Sequence, residues 1–199
     1  YSVWTAARGI FIEDIWVVPE ERRAWHAGKG VWQGETDCNA ASIGIEIVNP
    51  GHEFGYRPFP EAQIAAVIAL IGEIRQRWTI PDNRIIGHSD LAPDRKADPG
   101  ELFPWKRLAE AGHGLWFDPA PERIGALGAP LSPGDEGLGV IVLRSGLHRL
   151  GYGLTPGGDY DEATRLTVRN MLTKPGWNHL EVRTMRGILS TLEKRAPKA

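Results

Sequence analysis

The chain has little cysteine, little net charge and no long apolar run, and each shortage excludes a class of protein. Its single cysteine, Cys38, excludes an internal disulfide framework. No apolar stretch approaches the roughly 20 residues that a membrane-spanning helix requires. A formal net charge of -2 gives no basic surface for nucleic acid. The sequence therefore predicts a globular chain with no membrane span and no nucleic-acid partner, and it leaves the oligomeric state open.

The first half of the chain carries both strand and helix patterns. Residues 42–48, SIGIEIV, alternate isoleucines with Ser, Gly and Glu46, which is the period-two pattern of a strand. After Pro60, apolar residues recur at helical spacing and predict a helix that runs to about Trp78. The other predicted elements are one or two strands within residues 10–18, a short buried strand at 84–87 and a short helix at 104–111. Together they predict an α/β unit.

A stretch rich in proline and glycine, residues 117–137, predicts a linker between two units. The larger unit is residues 1–116 and the smaller is residues 138–199. Three helical patterns are predicted in the smaller unit, at 138–150, 161–172 and 180–194, with Asp161 as an N-cap. Because fewer than about 70 residues form only a marginal hydrophobic core, we expect this helical module to pack against the larger unit or to serve as a binding appendage.

One predicted loop contains most of the candidate functional residues. Residues 87–100, GHSDLAPDRKADPG, contain two prolines that we expect to keep the segment from being helical. His88 and Asp98 could meet across this loop and bind a metal through imidazole and carboxylate, or they could be a surface histidine and a turn residue. Lys96 could stabilise a developing oxyanion or remain a solvated charge. The spacing alone leaves both interpretations open, and we expect the other charges, Asp90, Asp94 and Arg95, to shape the loop or be solvated.

Glu46 is the second candidate for chemistry. A carboxylate within an isoleucine-rich strand is costly unless it faces polar partners or a cleft, which makes Glu46 a general-base candidate. The alternative is a glutamate on a solvated sheet face. A metal-free hydrolase that pairs Glu46 with an aspartate is a further alternative, but no second motif supports it.

Three blocks in one order resemble the type 2 N-acetylmuramoyl-L-alanine amidases. They are ERRAWHAG at 21–28, ASIGIEI at 41–47, and Gly87-His88 followed ten residues later by Asp98-Pro-Gly. The similarity covers roughly residues 18–116. The resemblance implies a mixed central sheet flanked by helices, a catalytic zinc, and hydrolysis of the amide between the lactyl group of N-acetylmuramic acid and L-alanine in peptidoglycan or muropeptides.

The resemblance also implies roles by position. His88 and Asp98 match two zinc ligands, Glu46 the acid that activates the metal-bound water, and Lys96 the cation at the oxyanion. Trp25 and His26 lie in the WHAG block, which lines the substrate cleft in the family. Trp25 and Trp32 bracket His26 and could stack on a sugar or on the peptide stem.

One departure concerns the third zinc ligand, which in the family is a histidine near the end of the first core strand. No histidine precedes His26 here. We therefore expect that the opening strand is missing and that the polypeptide as given is close to inactive. The alternatives are a non-catalytic relative that binds peptidoglycan with an incomplete zinc site, and His26 as a substitute ligand.

The end of the chain is similar to helical peptidoglycan-binding modules, on the residues LGYGL at 150–154 and YDEATR at 160–165. A module that only packs on the catalytic unit is the alternative. The resemblance favours a bacterial cell-envelope protein of the periplasm, with the cytoplasm as the other compartment. It leaves open whether the substrate is intact murein or released anhydromuropeptides.

Overall fold

The computed structural model describes residues 3–6, 14–16, 18–116 and 131–172. Its strands and helices, in chain order, are β1 (Val3–Ala6), β2 (Asp14–Trp16), α1 (Cys38–Ala41), β3 (Gly44–Ile47), α2 (Glu61–Arg77), α3 (His88–Leu91), α4 (Trp105–Glu110), α5 (Leu138–Leu150) and α6 (Glu162–Leu172). Short 3-10 turns lie at His52–Phe54 and Asp82–Arg84. Within these residues, no helix has the length and apolar character needed to cross a membrane.

The three strands form one small sheet in the order β2-β1-β3. Strand β1 runs antiparallel to β2, with Trp4 opposite Trp16, and parallel to β3, with Thr5 opposite Glu46. The described sheet therefore contains both kinds of pairing. Strand β3 confirms the strand predicted at 42–48, and β2 lies within the segment 10–18 where strands were predicted.

Helix α2 packs one face against the sheet. It confirms the predicted helix, with Pro60 in extended conformation as its N-cap and Trp78 as its C-cap. Its apolar residues at helical spacing are buried, and among them Ile64, Val67 and Ile71 form a cluster with Ile45 and Ile47 of β3. Because side chains alternate along a strand, this packing directs Glu46, which lies between the two isoleucines and is exposed, away from α2.

The strand predicted at 84–87 is wrong. Residues Asp82–Arg84 form a 3-10 turn, and Ile85 is extended but belongs to none of the described strands. The expectation that His88 starts a non-helical loop is also wrong, because His88–Leu91 is one helical turn, α3. The Asp90 carboxylate accepts a hydrogen bond from Gly87 N at 2.8 Å and so starts this turn. The turn ends at Ala92, where the following proline disfavours helical backbone.

Helices α5 and α6 confirm two of the three helices predicted in the C-terminal module. Asp161 is the predicted N-cap of α6, since its Oδ1 accepts a hydrogen bond from Thr164 N at 2.8 Å. The third predicted helix, at 180–194, lies outside the described residues. So does most of the predicted linker, residues 117–130.

One hydrophobic cluster crosses the predicted boundary between the two units. It joins Ala27, Trp32 and Leu91 to a larger set from the second unit, which includes Val140, Leu143, Leu147, Leu150, Tyr152 and Leu154. The Trp32 ring is buried and lies edge-on to the Tyr152 ring, with centroids 5.1 Å apart. Gly151 is in the left-handed region, at φ +129, and a Cβ there would lie 2.7 Å from the Trp32 ring. Trp32 therefore has a packing role between the two units, and the stacking role suggested for it stays a prediction.

Candidate active site

One cleft is lined by every side chain that the sequence singled out for the site: Trp25, His26, Glu46, His88, Lys96 and Asp98. We call it the site cleft. These residues come from three parts of the chain, namely the loop before α1, strand β3, and the segment that begins with α3. The fold therefore brings the three sequence blocks together, while the roles of the individual residues stay predictions.

His88 and Asp98 are direct neighbours in this cleft. The His88 Nδ1 atom lies 3.2 Å from Asp98 Oδ2, and His88 Nε2 lies 2.8 Å from the Ala27 carbonyl oxygen. Because a carbonyl oxygen only accepts, Nε2 must carry a proton. In the neutral imidazole, Nδ1 then has a lone pair and no proton, and it faces the Asp98 carboxylate oxygen, which also has only lone pairs. Two such atoms repel each other. This arrangement requires a cation between the two atoms or a second proton on the ring.

The separation of the two atoms fits a shared zinc ion. With Zn–N and Zn–O distances of about 2.0–2.2 Å and tetrahedral angles, two donor atoms lie about 3.4 Å apart, close to the 3.2 Å between Nδ1 and Oδ2. The Ala27 carbonyl would then be the partner that fixes the tautomer and ring orientation of the ligand histidine. Among the described ranges, no group of three or more His, Cys, Asp or Glu side chains is placed to hold a metal ion.

Asp98 is held in its anionic form. Desolvation in the cleft raises the pKa of Asp98, but the hydrogen bond with His88, the charge of His88 and the charge of Lys96 together bring the pKa below its ordinary value. The carboxylate is therefore available as a metal ligand near neutral pH. Lys96 lines the same cleft as Asp98.

The residues after Asp98 explain why the motif is Asp-Pro-Gly. The Tyr56 hydroxyl donates a hydrogen bond to the Pro99 carbonyl at 2.7 Å and accepts one from Leu102 N at 3.0 Å. Gly100 has φ +84, and a Cβ there would lie 2.5 Å from the Tyr56 hydroxyl oxygen. Only glycine fits this close approach, so the turn keeps Asp98 at the edge of the site cleft.

His26 packs on strand β3 and does not join the His88–Asp98 pair. Its Nε2 lies 2.9 Å from the Ser42 hydroxyl, and a Cβ on Gly44 would lie 2.5 Å from its ring. Burial lowers the pKa of His26, and the charge of His88 adds to that effect. The contacts therefore give no support to His26 as a substitute zinc ligand, and they leave its substrate-binding role as a prediction.

Trp25 is the most open residue of the WHAG block. Its side chain is 82% exposed, and the Arg23 guanidinium lies 4.5 Å from the centre of its ring. An exposed aromatic ring at a cleft can stack on a sugar or on an apolar side chain. The predicted substrate contact is therefore sterically open.

Arg95 and Asn39 support the site through contacts that the sequence did not predict. Arg95 donates from Nη2 to the Ala27 carbonyl at 2.7 Å and from Nε to the Lys29 carbonyl at 2.8 Å. Asn39 accepts from Ala27 N at 2.9 Å and from Gly28 N at 3.2 Å. Together they fix the carbonyl that holds His88 Nε2. The signal in the sequence for the Arg95 contact was Gly28, because a Cβ at that position would lie 3.0 Å from Arg95 Nη2.

Residues 12–101 match the family model described as N-acetylmuramoyl-L-alanine amidase. The structure is also similar to that of the N-acetylmuramyl-L-alanine amidase AmiD from Escherichia coli in complex with the substrate anhydro-N-acetylmuramic acid-L-Ala-D-gamma-Glu-L-Lys. The TM-score is 0.75 and the identity 31%, with 99% of this chain and 80% of that chain covered. This chain belongs to the N-acetylmuramoyl-L-alanine amidase family. The resemblance inferred from the three sequence blocks is thereby confirmed.

Further relatives extend the similarity. The structure is also similar to that of AmpDh3 from Pseudomonas aeruginosa in complex with anhydromuramic pentapeptide, with a TM-score of 0.74 at 32% identity, covering 94% of this chain and 76% of that chain. Among curated proteins, AmiD of Escherichia coli is 42% identical over 149 residues, which are 71% of this chain and 52% of AmiD. AmpD of Enterobacter cloacae is 40% identical over 96 residues, 48% of this chain and 49% of AmpD. The chain thus spans about half the length of these curated relatives.

Proposed function

We propose that this chain carries the hydrolytic site of a zinc amidase that separates N-acetylmuramic acid from L-alanine in muropeptides. The observation that supports this most is the His88 Nδ1 to Asp98 Oδ2 separation of 3.2 Å in a cleft that Glu46 and Lys96 also line. The two solved relatives hold anhydromuramyl peptides, so released anhydromuropeptides are the substrates to test first. A cell-envelope location remains a prediction.

Each residue of the site cleft has a chemical task in this proposal. His88 and Asp98 would hold the zinc, which when bound polarises the scissile carbonyl and lowers the pKa of water toward about 7. Glu46, exposed at the cleft on β3, accepts the proton of the attacking water and returns it to the departing nitrogen of L-alanine. Lys96 places its charge at the developing oxyanion. The Ala27 carbonyl keeps the proton of His88 on Nε2, so that Nδ1 stays free to act as a ligand.

The number of ligands limits how tightly zinc is held. Catalytic zinc sites usually use three protein ligands and one open position, and the described residues supply His88 and Asp98. We propose that the third ligand comes from outside the described residues. Assays of the chemistry are therefore run at saturating zinc, so that the occupancy of the site does not limit turnover.

Replacing Lys96 tests the oxyanion role. We expect Lys96→Ala to lower turnover of an anhydromuropeptide by roughly a hundredfold or more at saturating zinc, because one donor to a developing oxyanion contributes about that much. Zinc affinity should stay unchanged, since the ammonium is not a ligand. Lys29→Ala is the matched control, because Lys29 is an exposed lysine that does not line the site cleft. Full turnover of zinc-loaded Lys96→Ala would remove Lys96 from the mechanism.

The second candidate function is a non-catalytic module that binds the same ligand. The observation that favours it is the pair of zinc ligands without a described third. Such a module would retain anhydromuropeptide in the cleft and release no peptide at any zinc concentration. Binding and product release measured on the same sample therefore separate the two functions.

A further inference from the structure

We propose that the C-terminal helices position the metal-binding histidine, acting through the buried carboxylate of Asp90. The proposal rests on the function given to His88 above. It assigns a task within the site to a module that sequence resemblance connects only with binding peptidoglycan. The residues that carry it are Asp90, Tyr152 and Asn170, which we call the Asp90 network.

Asp90 lies on α3, two residues after His88, and is 1% exposed. Its Oδ2 accepts a hydrogen bond from Gly87 N at 2.8 Å, directly before His88. Its Oδ1 accepts from the Tyr152 hydroxyl at 2.7 Å and from Asn170 Nδ2 at 3.1 Å. One oxygen therefore holds the start of the helical turn that bears His88, and the other is held by the C-terminal module.

The two donors on Oδ1 come from different parts of that module. Tyr152 lies two residues after the end of α5, and its buried ring lies edge-on to Trp32. Asn170 lies on α6 and is also buried. A carboxylate shielded from water is costly unless hydrogen bonds satisfy it. Tyr152, after α5, and Asn170, on α6, therefore set the position in which the Asp90 carboxylate is fully hydrogen-bonded. Because Asp90 belongs to α3, they also set the position of that helical turn.

The consequence for His88 is geometric. Its ring is aligned by two contacts, Nε2 to the Ala27 carbonyl at 2.8 Å and Nδ1 to Asp98 Oδ2 at 3.2 Å. A short helical turn has few hydrogen bonds of its own, so a rotation of α3 would disturb both contacts together. Partners that orient a metal ligand typically contribute 10- to 100-fold to metal affinity or activity.

The test removes one donor and keeps the packing. Tyr152→Phe keeps the aromatic ring packed against Trp32 but removes the hydroxyl that donates a hydrogen bond to Asp90. Asn170→Ala is the second variant, in case the first does not fold. Tyr160→Phe is the matched control, because Tyr160 is buried in the same cluster and lies outside the Asp90 network. The 15N and 1H signals of the His88 ring are measured in zinc-free protein, and zinc affinity is measured by titration.

We expect the His88 ring signals to shift, and zinc affinity to fall about tenfold, in Tyr152→Phe and Asn170→Ala but not in Tyr160→Phe. Unchanged His88 signals in a folded Tyr152→Phe or Asn170→Ala protein would overturn the proposal. Equal shifts in the Tyr160→Phe control would overturn it as well, because they would indicate a general packing effect. The ring signals require no catalysis, so they decide this proposal even if the amidase activity itself proves absent.

Discussion

Asp98→Ala is expected to abolish both zinc binding and amidase activity. The substitution removes the carboxylate that lies 3.2 Å from His88 Nδ1, and of the two proposed ligands only His88 remains. The loss of zinc affinity should exceed the roughly 10- to 100-fold that removal of a ligand-orienting partner causes, because a ligand itself is lost. Zinc titration and release of stem peptide from an anhydromuropeptide, both on purified protein, measure the two effects.

The control for Asp98→Ala lies four residues earlier in the same loop. Asp94 is exposed and does not line the site cleft, so Asp94→Ala removes the same charge without touching the proposed zinc site. We expect its zinc affinity and turnover to match those of the parent protein. Should Asp98→Ala bind zinc as tightly as Asp94→Ala, Asp98 would not be a ligand, and its contact with His88 would be a plain ion pair.

Glu46→Gln is expected to lower turnover by roughly 100- to 10,000-fold, the usual range for a general acid or base. The substitution keeps the size of the side chain and removes its ability to accept a proton. Zinc affinity should remain at the parent value, since Glu46 has no ligand role in the proposal. The turnover number is measured at saturating zinc, together with a zinc titration.

Glu53→Gln provides the comparison for Glu46→Gln. Glu53 is an exposed glutamate on the 3-10 turn that follows β3, and it does not line the site cleft. Its replacement should change turnover by less than twofold. Parent-like turnover in Glu46→Gln would show that another group accepts the proton of the attacking water. Glu46 would then not be the general base.

Sequence periodicity predicted the elements that carry the site more reliably than the loops between them. Strand β3 and helix α2 each have one apolar face, and their burial follows that pattern. The strand predicted at 84–87 failed because Ile85 and Ile86 suit a strand or a buried turn equally well, and nothing local decides between them. The helical turn at His88 was not predicted, because the two prolines of the segment argue against a helix. The turn forms because the Asp90 side chain accepts a hydrogen bond from Gly87 N at its start.

In the candidate site, too, some residues could be predicted from the sequence and others could not. The resemblance predicted the motif residues, and the side chains of all six line the same cleft. The Ala27 carbonyl was not predictable, because a backbone oxygen carries no sequence signal. Asp90 was expected to shape the loop or be solvated, but two of its hydrogen-bond partners, Tyr152 and Asn170, lie 62 and 80 residues away in the chain. Such contacts exist only once the two units pack together.

The most direct test of the account is to incubate the purified protein with an anhydromuropeptide over a series of zinc concentrations and identify the products by mass spectrometry. The account predicts a free stem peptide that begins with L-alanine. Its rate of release should rise as zinc is added, disappear with a chelator and return when zinc is restored. If the muropeptide binds in the cleft but stays intact at saturating zinc, the chain is a binding module and the proposed hydrolysis is contradicted.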